Sequence, residues 1–105
     1  MNPVHLSAIF GGWAGGSVAA SIIYNESFFE AAIDMKGGAG ALLTTIIDEV
    51  LIYEGFYGEG TVYSYILQNV LPILFGATVI HASIIGLSAV AGSLLGLYVY
   101  REFSK

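Results

Sequence analysis

The sequence predicts an all-α integral membrane protein, a helical hairpin of two membrane-crossing helices joined through an amphipathic middle helix that is open to a third crossing. Residues 61–100 run for forty positions without Asp, Glu, Lys or Arg, about twice the ~20 apolar residues that cross a ~30 Å hydrocarbon layer. Residues 3–24 form a second uncharged block of 22. The whole chain is 56% hydrophobic and 10% charged, with a mean hydropathy of +0.78, whereas a soluble domain carries roughly 25% charged residues. The 105 residues form one membrane domain, 1–105, too small to enclose a large substrate path within a single subunit.

The first crossing is placed at 4–24. A cleaved secretory leader is the rival reading, with Val18-Ala19-Ala20 imitating a cleavage site, but no Lys or Arg precedes Lys36 to supply a basic n-region. Tyr24, Phe28 and Phe29 follow as rings suited to the headgroup level.

Residues 25–60 are an acidic connector holding Glu26, Glu30, Asp34, Asp48, Glu49, Glu54 and Glu59 against one cation, Lys36. Glu26, Glu30 and Asp34 recur every four residues, as on one face of a helix continuing from the first crossing to a stop at Gly37-Gly38. Residues 40–54 read as an amphipathic helix, with Leu42, Leu43, Ile46, Ile47, Val50 and Leu51 as its apolar stripe and Thr44, Thr45, Asp48 and Glu49 mostly elsewhere. Each apolar residue gains roughly 0.3–0.6 kcal/mol on insertion, and a central Asp costs about 2.5–3.5 kcal/mol. Two adjacent acids therefore cancel most of the gain, and the middle helix can lie on the membrane or enter it.

Glu54-Gly55-Phe56-Tyr57-Gly58-Glu59-Gly60 reads as a glycine-rich turn. Pro72 then divides the long uncharged block, because proline suits a first helical turn better than an interior. The expectation is an interfacial lead-in at 61–71, a last crossing at 72–100, and a basic tail at 101–105. No charged loop or strong turn divides 61–100 into two crossings. Arg101 and Lys105 place the carboxyl terminus in the cytoplasm under the positive-inside rule.

Small residues give the most specific packing pattern. Ala8, Gly12, Gly16 and Ala20 are spaced by four, and Gly11 with Gly15 makes an overlapping GxxxG; Ala82, Gly86, Ala89, Ser93 and Gly96 follow in the last helix. Such faces let helix backbones approach closely in lipid. The contact partner is the other helix, another copy of the chain, or a different membrane subunit.

His81 falls inside the predicted last crossing, where an ionisable side chain is a candidate ion or proton site together with Asp48 and Glu49. A neutral histidine hydrogen-bonded to a neighbouring helix is the plainer reading. A two-crossing hairpin keeps His5 and His81 at opposite membrane faces, and a three-crossing topology brings them closer in depth. No HxxxH, HExxH or calcium-loop spacing is present, so no metal or cofactor is assigned. The carboxylates read as a solvated face or, in a ring of copies, as the mouth of a pore. Asn25-Glu26-Ser27 matches a glycosylation sequon, a pattern of low specificity.

Several classes are excluded. A net charge of −5 argues against nucleic-acid binding, which needs clustered Lys and Arg. The chain has no cysteine, hence no thiol chemistry, and it contains no nucleophile elbow, P-loop or complete dinucleotide fingerprint. It does not read as an enzyme. In size and hydropathy it resembles small membrane subunits, holin-like proteins and membrane-associated viral coat proteins. The expectation is a small structural or accessory subunit, in contact with the lipid bilayer, that assembles through its Gly/Ala faces; an oligomeric pore or ion- or proton-conducting protein is the alternative.

Overall fold

The computed structural model describes residues 3–47 and 60–103. Helix fills 85% of this, and there is no strand among the described residues. The helices are α1 (Pro3–Ile23), α2 (Phe28–Ile33), α3 (Gly38–Ile46), α4 (Gly60–Leu74) and α5 (Val79–Phe103). Of these, α1 and α5 are long and apolar enough to cross a membrane.

α1 ends where the chain turns at Asn25, whose φ of 52° is left-handed. The four-residue recurrence of Glu26, Glu30 and Asp34 does not lie on one helix, which corrects the sequence expectation. Ser27 restarts the chain as a reciprocal N-cap: its Oγ accepts from the Glu30 N–H at 3.1 Å, and Glu30 Oε1 accepts from the Ser27 N–H at 3.3 Å. This capping box satisfies two otherwise orphaned donors and outweighs the continuing helical pattern. α2 is then tied back to α1, because the Trp13 indole Nε1–H donates to the Ala32 carbonyl at 2.9 Å.

α3 runs antiparallel to α1, with Gly38 against Ser17, Ala41 against Gly16, and Thr45 against Gly12. It begins two residues before the expected 40, and residues 48–54 of that expected helix lie outside the described residues. Its buried face is Gly38, Gly40, Ala41, Thr44 and Thr45, while Leu43 is exposed. The apolar stripe thus does not supply the buried face, and small and hydroxylated residues do.

The long uncharged block is divided, but not at Pro72. Pro72 is buried inside α4, and the break lies four residues later. Gly76 takes φ 106°, its N–H donates to Ile73 O at 3.1 Å, and the Ala77 N–H donates to Pro72 O at 2.9 Å. That is a Schellman closure, which needs glycine at the left-handed position. Thr78 Oγ1 then accepts from the His81 N–H at 3.1 Å and caps α5. Residues 61–71 are therefore part of α4 rather than a separate lead-in, and α5 starts at Val79 rather than Pro72.

Across the bundle the usual distribution is inverted. Buried positions are mainly Ala, Gly, Ser, Thr and one Gln, whereas Phe10, Ile22, Ile66, Ile80, Leu87 and Leu95 are all more than half exposed. Such a molecule is stabilised by close backbone packing rather than by a core of large aliphatic side chains.

Candidate functional site: the seam between α1 and α5

The two long helices pack antiparallel with very little between them. A Cβ built on Gly11 would overlap the Gly92 carbonyl oxygen, one on Gly15 would overlap that of Ser88, and one on Gly96 that of Ser7. Each neighbour is backbone and cannot rotate aside. The predicted residues Ala8, Gly12, Gly16, Ala20, Ala82, Gly86, Ala89 and Ser93 are all buried, and Gly96 is half-buried.

The two overlapping glycine ladders have different tasks. Gly11 and Gly15 receive α5 along Ser88, Gly92 and Gly96, whereas Gly12 and Gly16 form the notch entered by Thr45 and Ala41 of α3 and by Ser93 of α5. Ser88 and Gly92 are absent from the predicted face. Their signal was a second run at spacing four, Ser88-Gly92-Gly96, beside the one chosen.

The outer side of this seam is an open apolar groove of about 980 Å³. Its floor is small, with Gly11, Ala14, Gly15 and Ala91, and its rims include Phe10, Ile22, Leu95 and Val99. From Ser7 to Ile22 it follows α1 for roughly 22 Å at 1.5 Å per residue. No family model, curated protein or solved structure matches this chain. The groove and the bundle interior must therefore be interpreted from their own chemistry.

Inside the bundle, Ser17, Thr44, Thr45, Gln68 and Ser93 are fully buried. Ser93 Oγ donates to Ala8 O at 2.8 Å and joins α5 to α1. Gln68 Nε2 donates to Thr45 Oγ1 at 2.9 Å and joins α4 to α3. Thr45 and Gln68 were not among the predicted site residues. Two polar residues in otherwise apolar helices were the available signal.

His81 is the third residue of α5, half-buried near one end of the bundle, not deep within the helix as expected. Its ring meets Tyr24 edge to face with centroids 5.4 Å apart. Because α1 and α5 are antiparallel, His5 lies toward the opposite end. Asp48 and Glu49 lie outside the described residues.

Beside Tyr24 the connector forms a charged cluster. Lys36 Nζ lies 3.2 Å from Asp34 Oδ2 and 4.2 Å from the Tyr24 ring centroid. Burial raises the Glu26 pKa above its ordinary value, and a hydrogen bond with Asp34 raises it further. Burial works against the Asp34 carboxylate, but the Lys36 backbone N–H, the Glu26 carboxyl and the Lys36 ammonium outweigh it and lower the Asp34 pKa. The hydrogen bond from Lys36 to Asp34, ahead of smaller effects, raises the Lys36 pKa. Tyr24 is raised by burial.

Proposed function

We propose that this protein is a small structural or accessory subunit of a membrane complex and that it engages a hydrophobic helix of a partner chain along the outer α1–α5 groove. The observation that carries this reading is the inverted distribution of residues, with large apolar side chains outward and small or polar ones inward. Water penalises such an exterior, and a bilayer does not.

The Gly/Ala stripes bear on assembly in a changed way. Ala8, Gly12, Gly16, Ala20, Ala82, Gly86 and Ala89 are already buried within the chain, so assembly falls to the face they leave outside. Two copies meeting groove to groove would enclose space between two concave faces. A convex helix from a partner fills it.

Antiparallel packing puts the start of α1 and the end of α5 on one side, with Arg101 in the last turn of α5. Positive-inside logic assigns that side to the cytoplasm and the Glu26–Asp34 cluster to the other.

Gentle extraction followed by native mass determination tests the assignment. The wild-type chain should emerge with a stoichiometric partner, and Ala14→Leu with Ala91→Leu, which fills the exposed groove floor, should release it without lowering Tm. A wild-type chain emerging alone from its native membrane would defeat the proposal. An oligomeric pore is the second reading, favoured by the buried polar residues at Thr45, Gln68 and Ser93; a current in reconstituted bilayers that Gln68→Leu abolishes would establish it instead.

A further inference from the structure

The contacts along α1 give every other long helix a level in the bundle. α1 has 21 residues, from Pro3 to Ile23, so at 1.5 Å per residue Gly12 stands about 14 Å from one end and about 16 Å from the other. A Cβ built at Gly12 would meet Thr45 Oγ1 of α3 and Ser93 Oγ of α5. Ser93 is itself near the middle of Val79–Phe103. Gln68 Nε2 of α4 donates to the same Thr45 Oγ1 at 2.9 Å. All four helices therefore share one level, and it is the midpoint of both helices long and apolar enough to cross a membrane.

α3 descends to that level and α4 passes through it. Gly37 lies against Ala20 and Gly38 against Ser17, so α3 starts near the Tyr24 end of α1 and reaches its middle at Thr45. α4 turns at Gly76 into α5, whose His81 packs on Tyr24, so Leu74 is at the Tyr24 end and Gly60 is on the far side of Gln68. With 15 residues, α4 is about 22 Å long, short of the ~30 Å hydrocarbon layer. Side chains at this level keep the inverted order: Thr44, Thr45 and Gln68 are fully buried, whereas Leu43 and Ile66 are 40% and 54% exposed. Neither α3 nor α4 contains Asp, Glu, Lys or Arg.

We infer that the outer face of α3 and α4, marked by Leu43, Ile66 and Val70, contacts lipid acyl chains near the middle of the bilayer, so that both are inserted helices rather than an extramembrane connector. The inference rests on the membrane reading of α1 and α5: once those two cross, a layer joined to their midpoints cannot lie on the membrane surface. Their backbone is helical, as hydrocarbon requires. Acyl chains are the occupant because water would meet Leu43, Ile66 and Val70 there, while the hydroxyls and the amide that could bind it are turned inward. The concave floor suited to a partner helix belongs to the outer α1–α5 seam instead. Asp34 and Lys36 stay at the Tyr24 end, away from the midplane where a charge is most costly.

Single nitroxide labels on the cysteine-free chain test the depth directly. Leu43→Cys and Ile66→Cys read the proposed face, Leu94→Cys, next to Ser93 and 43% exposed, is the reference at the middle of α5, and Phe103→Cys reads its end. In the full chain reconstituted into phosphatidylcholine vesicles, collisions with apolar oxygen should exceed those with a water-soluble nickel chelate at Leu43, Ile66 and Leu94, and the order should reverse at Phe103. Oxygen in excess at Leu94 with nickel in excess at Leu43 and Ile66 would overturn the inference and leave the membrane reading intact. Nickel in excess at Leu94 as well would defeat the membrane reading, and this inference with it. Exclusion of both reagents at Leu43 and Ile66 would overturn lipid contact in favour of a second copy covering the face.

Discussion

Gly11 of α1 and Gly92 of α5 meet backbone to backbone, so close that a Cβ on either would overlap the other's carbonyl oxygen. An alanine at a free helical glycine stabilises by roughly 0.5–1 kcal/mol through reduced chain entropy. Here the added methyl must push two helices apart, and overpacking costs about 1–3 kcal/mol. Gly11→Ala and Gly92→Ala should therefore each lower the Tm of the purified protein, whereas Ala14→Leu, on the exposed groove floor, should stay within about 0.5 kcal/mol of wild type. Equal stability of all three would show that the seam is looser than its geometry.

Trp13 and Ala32 carry the second test. Trp13→Phe keeps an aromatic ring and removes the Nε1–H, leaving the Ala32 carbonyl without that donor. A lost donor to a partly buried carbonyl costs about 1–3 kcal/mol. The loss should appear locally, as faster amide hydrogen exchange at Ala31 and Ala32 than at Ala89 in the same sample.

These two contacts differ in how far the sequence foretells them. GxxxG spacing was visible as a face for close helix contact, and α1 and α5 approach backbone to backbone at Gly11 and Gly15. The choice among its partners was not visible, since Gly11 and Gly12 are neighbours on α1 and only the three-dimensional arrangement sends one to α5 and the other to α3. Pro72 drew the predicted boundary because proline is the stronger breaker in isolation. The chain instead turns at Gly76, where a left-handed residue closes α4 and Thr78 opens α5, two weak signals that act together. His81 moved from deep within a helix to its first turn for the same reason. For α3 the sequence showed an apolar period without showing what it faces, and in the bundle the small and hydroxylated residues Gly38, Gly40, Ala41, Thr44 and Thr45 are the buried ones while Leu43 is exposed.

Orientation yields a third prediction. The chain has no cysteine, so single cysteines report without background. Phe29 on α2 and Phe103 at the end of α5 are 81% and 87% exposed. In intact cells a membrane-impermeant maleimide should label Phe29→Cys at once and Phe103→Cys only after permeabilisation. The reverse pattern would invert the topology; labelling of neither before lysis and both after it, from a protein recovered in the soluble fraction, would remove the membrane assignment altogether.

The charged cluster at the Tyr24 end should leave a signature in stability against pH. Glu26 is raised from its ordinary 4.5, so its contribution is fully present below that value and is lost as pH rises through its folded value. Asp34 is lowered from 3.8, so its contribution is present above that value and is lost as pH falls through its folded value. Together they favour the state in which the pair holds one proton, Glu26 neutral and Asp34 ionised beside Lys36. Thermal unfolding in detergent should therefore be most resistant in the mildly acidic range and weaken on both sides of it. Glu26→Gln makes the neutral form permanent: it should raise Tm relative to wild type near neutral pH, with the difference shrinking below the ordinary carboxylate range. Asp34→Asn should do the opposite, losing the partner of Lys36 and costing most where wild-type Asp34 is ionised. Glu30 of α2 adds a like charge near Glu26, while Tyr24, just past the end of α1, and His81 of α5 form the rest of the surround. Persistence of the acidic maximum in Glu26→Gln would show that the carboxyl pair does not set it.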